Sequence, residues 1–138
     1  MIGEWKGRYS GETNGEIHLN IHESAGGFRL HSFLSPSDPG LPGTLASMLL
    51  DGDENAQEAE ASLSPVNPET GRKSDWESIK HLFPRGIEHS NKARVKIHFG
   101  EGKIRIAGES DLGFRFESVL EKVSDLPDPG IDNKFEEA

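Results

Sequence analysis

Residues 3–9, Gly3-Glu4-Trp5-Lys6-Gly7-Arg8-Tyr9, decide the fold of this chain. Trp5 and Tyr9 alternate with charged residues, which is the pattern of a strand that buries one face. Several short runs with the same alternation follow. Together they predict a small antiparallel β-barrel that opens with a tryptophan. Barrels of this kind hold one ligand or one partner more often than they catalyse.

The first hairpin is predicted over residues 17–34, about a tight turn at residues 24–27. Apolar and polar residues alternate on both sides of that turn. Pairing the two runs puts Ile21 opposite Leu30 and keeps the apolar side chains on one face, as a correct register requires.

Residues 92–116 give a stronger signal, because three alternating runs are separated by two turns. The register places Phe99 opposite Ile104 and Ile106 opposite Phe114. A three-stranded meander with one apolar face is therefore predicted for the second half of the chain.

The middle of the chain is less regular. Residues 45–50 fit either a strand or a short helix, whereas residues 58–63 alternate and favour a strand. Ser74 and Glu77 form a capping box, with Ser74 as the N-cap. That motif predicts one short helix near residues 75–83, lying across one end of the barrel.

We therefore predict an all-β fold, a small antiparallel meander barrel of about eight strands with one short helix. Closure removes the exposed edges that an open sheet of this size would present. Residues 1–123 are expected to form the single barrel domain. Residues 124–138 are rich in acids and prolines, and predict a flexible acidic tail.

Composition narrows the classes of function. The chain has 138 residues, a formal net charge of −9 and no cysteine. The negative charge argues against nucleic-acid binding, and without cysteine there is neither a disulfide framework nor thiolate chemistry. No apolar run approaches the ~20 residues that span a bilayer, and the N-terminus lacks the features of a secretory signal. We expect a cytoplasmic protein that binds neither membranes nor nucleic acid.

Gly3-x-Trp5 on a first strand, followed by a meander, resembles the opening of the lipocalin-like (calycin) barrels. This resemblance implies that Trp5 lies at the closed end of the barrel, under a basic residue of the last strand for which Arg115 is the candidate. Avidin-type barrels begin in a similar way. Trp5-x-Gly7-x-Tyr9 also resembles the sensing barrels of some bacterial antiphage effectors, which would make the chain bacterial. The chain departs from these families in having two tryptophans only and in placing its helix mid-chain.

Large and small side chains together predict the ligand site. Ala59, Ala61, Ser32 and Ser47 are small and are expected to leave room for a cavity. We expect the site inside the barrel or at the mouth near Trp76, with Trp76 and Phe83 as a lid. The aromatic residues predicted to bind the ligand are Trp5, Tyr9, Phe28, Trp76 and Phe83.

Charge is unevenly distributed along the chain. Residues 51–77 hold eight acids, whereas the charged residues between positions 85 and 105 are mostly basic. Arg94, Lys96 and Arg105 share the polar face of adjacent strands, so an anion is one candidate ligand there. The alternative is that these bases pair with acids on neighbouring strands, which is the commoner role of such residues.

Metal and catalytic chemistry are not predicted. His18 and His22 share one side of a strand but lie about 13 Å apart, too far to bind one metal ion. His31 approaches across the hairpin, but no carboxylate joins these histidines in the predicted pairing. The sequence holds no nucleophile elbow and no phosphate-binding loop. We therefore assign no catalytic residue, no metal and no cofactor.

Two functional hypotheses follow. The first is a non-enzymatic barrel that binds a small molecule, with an anionic ligand as one candidate. The alternative is an acidic interaction module, of inhibitor or immunity type, that recognises a basic protein partner through residues 51–77. A homo-oligomer is compatible with either. An enzyme ranks last, because the predicted register turns no carboxylate or histidine inward.

Overall fold

Eight antiparallel strands form a closed barrel in the computed structural model, which describes residues 1–52 and 55–136. Each strand pairs with its neighbours in sequence, and the last strand pairs with the first. The all-β meander barrel predicted from the sequence is confirmed. The strands are β1 (Gly3–Gly11), β2 (Gly15–Ser24), β3 (Gly27–Pro36), β4 (Thr44–Asp51), β5 (Ala56–Pro65), β6 (Lys92–Gly100), β7 (Lys103–Ser110) and β8 (Arg115–Ser124).

The registers of the predicted hairpins are largely as the alternation requires. Ile21 lies opposite Leu30, and Phe99 lies opposite Ile104. Residues 45–50, which fitted either a strand or a helix, belong to β4. Their inward-facing side chains join the core, and this burial decides between the two possibilities.

The predicted pairing of Ile106 with Phe114 is wrong. Ile106 lies opposite Ser118, because the turn before β8 continues to residue 114. Within that turn the amide of Ser110 donates to the carbonyl of Phe114. The Phe114 side chain is consequently 45% exposed instead of facing the core.

The two ends of the barrel are packed differently. The closed end holds Trp5 and the β2–β3 turn, and the open end holds the end of β1 and the long connection from β5 to β6. Large side chains fill the closed half of the barrel and are buried by packing against one another. The most deeply buried of these are Leu19, Ile21, Leu30, Ile97, Ile104 and Leu120.

Trp5 lies at the closed end, as the family resemblance implied. Its ring is 5% exposed, and its Nε1 donates to the carbonyl of Met1 at 3.0 Å. The basic residue over the ring is Lys122, whose Nζ lies 5.9 Å from the ring centroid. Arg115 is therefore the wrong candidate, because antiparallel pairing of β1 with β8 places it at the opposite end of the last strand.

One short helix is found where it was predicted. α1 (Trp76–Ile79) continues into a 3₁₀ turn, Lys80–Leu82. The N-cap is Asp75 rather than Ser74, because the Asp75 carboxylate accepts from both the amide and the hydroxyl of Ser78. Ile79 is buried, which fixes the helix against the rest of the molecule.

The C-terminal segment differs from the flexible tail that was expected. It forms α2 (Pro129–Asn133), which contacts β2 and β3 from outside the barrel. Asn20 faces outward from β2 and is nevertheless fully buried, because its side-chain amide bonds to the backbone of Asp128 in both directions. Residues 137 and 138 lie outside the described residues. Whether residues 1–123 form a domain on their own stays a prediction.

Among the described residues, no helix is long and apolar enough to cross a membrane.

We predict that Leu19→Ala lowers the free energy of unfolding by about 2–5 kcal/mol, since it removes buried methyl groups from the closed half. Leu49 provides a matched control, because its side chain is 62% exposed on β4. Leu49→Ala should change stability by less than about 0.5 kcal/mol. Urea unfolding measured by circular dichroism tests both variants, and equally small losses would contradict the packed interior.

Candidate ligand-binding cavity

A cavity of about 350 Å³ enters the barrel from the open end. Small inward side chains on three consecutive strands leave it unfilled, namely Ser32 on β3, Ala46 on β4 and Ala61 on β5. Met48 and Val95 contribute apolar wall further in. The closed half is filled by larger residues, so the cavity follows from the distribution of side-chain volume along the strands.

The rim of the cavity is built from connecting segments. The loop between β3 and β4 contributes Leu41 and Pro42, and the β5–β6 connection contributes residues 86–90. Glu12 and Arg115 stand on the opposite side of the rim. Loops placed on a rigid barrel can differ in sequence without changing the fold, and for this reason they are common sites of ligand recognition.

Three polar atoms in the cavity wall lack a hydrogen-bond partner. They are Oγ of Ser32, Nδ1 of His89 and Oγ of Ser90, and each is buried. Leaving a buried polar atom unpaired costs about 1–3 kcal/mol. Such atoms are expected where a bound molecule or ordered water supplies the missing partner.

His89 is held in place from two sides. Its Nε2 lies 3.2 Å from the Thr44 hydroxyl, and its ring stacks on Trp76 at a centroid distance of 5.9 Å. Burial lowers the pKa of His89, and the nearby Ser90 backbone and Asp111 offset this only in part. No hydrogen bond of good geometry reaches Nδ1. The ring is therefore neutral at pH 7, and its buried Nδ1 lacks a hydrogen-bond partner.

Tyr9 supplies a phenol to the same cavity. Burial raises the pKa of its hydroxyl, and a hydrogen bond with the Thr13 side chain offsets part of that rise. The phenol is consequently protonated at neutral pH and can donate a hydrogen bond. Together with His89 and the two serines, it gives an otherwise apolar cavity a small number of polar groups.

The predicted aromatic residues are divided between the two ends. Tyr9 lines the cavity, whereas Trp5 and Phe28 belong to the closed end. Trp76 and Phe83 do not line the cavity. They contact each other at a centroid distance of 5.5 Å, and the Trp76 ring stacks on the His89 ring.

The predicted basic residues do not enter the interior. Arg94, Lys96 and Arg105 alternate with buried residues and are exposed on the outer wall. Lys96 and Arg105 line a shallow depression there, together with Arg8 and the acids Glu58 and Glu117. Mixed charge makes this depression less attractive to an anion than a purely basic cluster would be.

Arg115 is the exception, because it lies at the rim of the cavity. Its side chain is largely exposed and its Nε lies 3.6 Å from a Glu109 oxygen. Its backbone amide donates to the Glu12 carboxylate at 2.6 Å. One exposed cation between two acids gives the rim little net positive charge.

Sequence reasoning missed His89 and Ser90. Both belong to the β5–β6 connection. Apolar and polar residues do not alternate regularly there, so the sequence does not indicate which side chains face the barrel. Met48 was also missed, since its direction depends on whether residues 45–50 form a strand or a helix.

Comparisons with known proteins bear on the fold. No protein-family model matches this sequence, and no curated protein matches it significantly. Among solved structures, the chain is similar to a redesigned β-barrel, mFAP1, bound to DFHBI, with a TM-score of 0.55 and 13% sequence identity. The match covers 88% of this chain and 94% of the other. The two chains share a β-barrel fold. At this identity the likeness concerns the fold alone.

We predict that Ser32→Ala raises the free energy of unfolding of the unliganded protein by about 1 kcal/mol, because it removes a buried, unpaired hydroxyl. Ser118 is the matched control, since it is also buried but donates to the Arg8 carbonyl at 2.8 Å. Ser118→Ala should lower stability by about 1 kcal/mol. Chemical denaturation compares the two, and equal destabilisation by both would contradict an unpaired Ser32.

Proposed function

We propose that this protein binds a small, largely apolar molecule in the cavity at the open end of the barrel. The observation that carries the proposal is the coincidence of an unfilled apolar interior with three buried polar atoms that lack partners. Empty space alone could be a packing defect. Unpaired polar groups on residues that line that space are a feature expected of a pre-formed ligand site.

The size and lining of the cavity support this proposal. Its volume lies near the lower end of the ~300–1,000 Å³ typical of small-molecule sites. The barrel mFAP1, with the same kind of fold, is bound to DFHBI in its solved structure. An eight-stranded barrel is wide enough for one small ligand when its interior is not filled by side chains.

The polar groups define what the molecule should carry. Ser32 and Ser90 hydroxyls can donate or accept, and the neutral His89 ring offers one donor or acceptor according to its tautomer. A ligand with a carbonyl, hydroxyl or amide among apolar atoms would satisfy these groups. A full negative charge would have no cation inside the cavity, so an anionic group of the ligand belongs at the rim near Arg115.

The alternative function, recognition of a basic protein through residues 51–77, has less support. Glu58 and Glu60 on β5 lie opposite Lys96 and Arg94 on β6, so part of this acidic charge faces bases of the same molecule. Residues 53 and 54 of that acidic region lie outside the described residues. In the cavity, in contrast, three buried polar atoms have no hydrogen-bond partner among the residues that the structure describes.

A pair of dyes tests the proposed function. N-phenyl-1-naphthylamine is uncharged and apolar, and its sulfonated analogue adds one negative charge. We expect the uncharged dye to bind at one site with increased fluorescence, and the sulfonate to bind no more tightly. Tighter binding of the sulfonate would overturn the claim that the cavity prefers an uncharged molecule.

Two variants in which an alanine is replaced by leucine locate the bound dye. Ala46→Leu fills part of the cavity and should weaken binding by at least about tenfold. Ala107 lies exposed in the depression on the outer wall, so Ala107→Leu is a control of identical chemistry. The proposal fails if wild-type protein binds neither dye, or if only Ala107→Leu weakens binding.

A further inference from the structure

A second cluster of functional groups lies outside the barrel, where α2 meets β2 and β3. His22 and His31 are diagonal neighbours on the outer face of the first hairpin. Asp132 of α2 lies between them, with its Oδ2 2.8 Å from Nε2 of His22 and its Oδ1 3.0 Å from Nδ1 of His31. The carboxylate that joins these histidines could not be predicted from strand pairing, because it lies 101 residues beyond His31.

We propose that His22, His31 and Asp132 form a binding site for a divalent transition-metal ion of the zinc class. One donor atom from each residue lies within 4.8 Å of the others. A tetrahedral ion with bonds of about 2.0–2.1 Å holds its donor atoms about 3.3 Å apart. To receive an ion, the two hydrogen-bonded distances of 2.8 and 3.0 Å would lengthen slightly, and any donor pair wider than about 3.3 Å, within the 4.8 Å limit, would contract.

The donor set favours a transition metal over calcium or magnesium. Two imidazole nitrogens and one carboxylate oxygen suit zinc, nickel, cobalt or copper, whereas the hard cations take oxygen ligands. Three protein ligands leave a coordination position for water. The three side chains are between 18% and 34% exposed, so an ion can reach them from solvent.

Neighbouring residues orient the ligands. The Asn20 amide donates to Oδ1 of Asp132 at 3.1 Å, and the Phe135 ring stacks on His31 at a centroid distance of 4.1 Å. Supporting contacts of this kind fix the rotamers of metal ligands and raise affinity. Asn20 is itself fully buried, so this support is rigid.

The charge state of the carboxylate also suits a ligand. Burial would raise the pKa of Asp132, but hydrogen bonds from His31, Asn20 and His22 outweigh it and the pKa is lowered overall. The group is thus ionised at neutral pH. In the metal-free protein the two imidazole N–H groups donate to this carboxylate, and on binding an ion each neutral ring would carry its proton on the other nitrogen and offer the freed lone pair to the ion.

Binding here would have a structural consequence. The two histidines come from the barrel wall and the carboxylate comes from the C-terminal helix. An ion held by all three ties α2 to the first hairpin, and it stabilises this contact by mass action because the site exists only in the docked state.

Calorimetric titration of the untagged, chelator-treated full chain with Zn²⁺ tests the proposal. Co²⁺ gives a second readout, because its visible absorption reports ligands in a tetrahedral site. We expect one ion per chain, a melting temperature that rises with Zn²⁺, and a Co²⁺ spectrum that Zn²⁺ abolishes. No binding of either ion by the wild-type protein would leave the cluster as a hydrogen-bonded contact only, and would overturn the proposal.

Variants assign the ligands. Asp132→Asn, His22→Gln and His31→Gln should each weaken Zn²⁺ binding by at least about tenfold. His18 lies on the same outer face of β2 but outside the cluster, so His18→Gln is the matched control and should bind as the wild type does. Circular dichroism verifies that each variant folds. Loss of binding in Asp132→Asn alone, with both cluster histidine variants unaffected, would contradict a three-ligand site.

Discussion

Closure of the sheet between β1 and β8 is the constraint on which the rest of the structure depends. Seven residues of β1 from Trp5 to Gly11 pair with β8, and at Gly7 the two backbones approach so closely that a Cβ would collide with the Val119 carbonyl oxygen. Closure fixes the width of the interior, because strand number sets the diameter of a barrel. It also determines which end each side chain of β8 occupies, and so puts Lys122 over Trp5 and Arg115 at the rim.

Within this fixed width, side-chain volume decides whether the interior is solid or hollow. Leucine, isoleucine and tryptophan fill the closed half, while Ser32, Ala46 and Ala61 leave space in the open half. The solid half provides the stability that lets the open half keep unpaired polar atoms. Unpaired polar atoms of this kind raise the free energy of the unliganded protein. They are common at functional sites, where a bound ligand supplies the missing hydrogen bonds.

Much of the barrel could be predicted from the sequence, because period-two alternation determines which face of each strand is buried. The pairings of Ile21 with Leu30 and of Phe99 with Ile104 are examples. The cavity was predicted only in part, since His89 reaches it from a connection without periodicity. Asp132 could not be predicted at all, because its contact with β2 and β3 joins segments about a hundred residues apart through a side chain on a five-residue helix.

The most direct test of this account uses the two methionines of the chain. Met48 lines the cavity, whereas Met1 lies at the closed end, where its carbonyl accepts from Trp5. Protein labelled with ¹³C at its methionine methyl groups gives one NMR signal for each. Titration with N-phenyl-1-naphthylamine should shift the Met48 signal strongly and leave the Met1 signal in place. A shift confined to Met1, or bound dye with neither signal moved, would contradict a ligand-binding cavity at the open end.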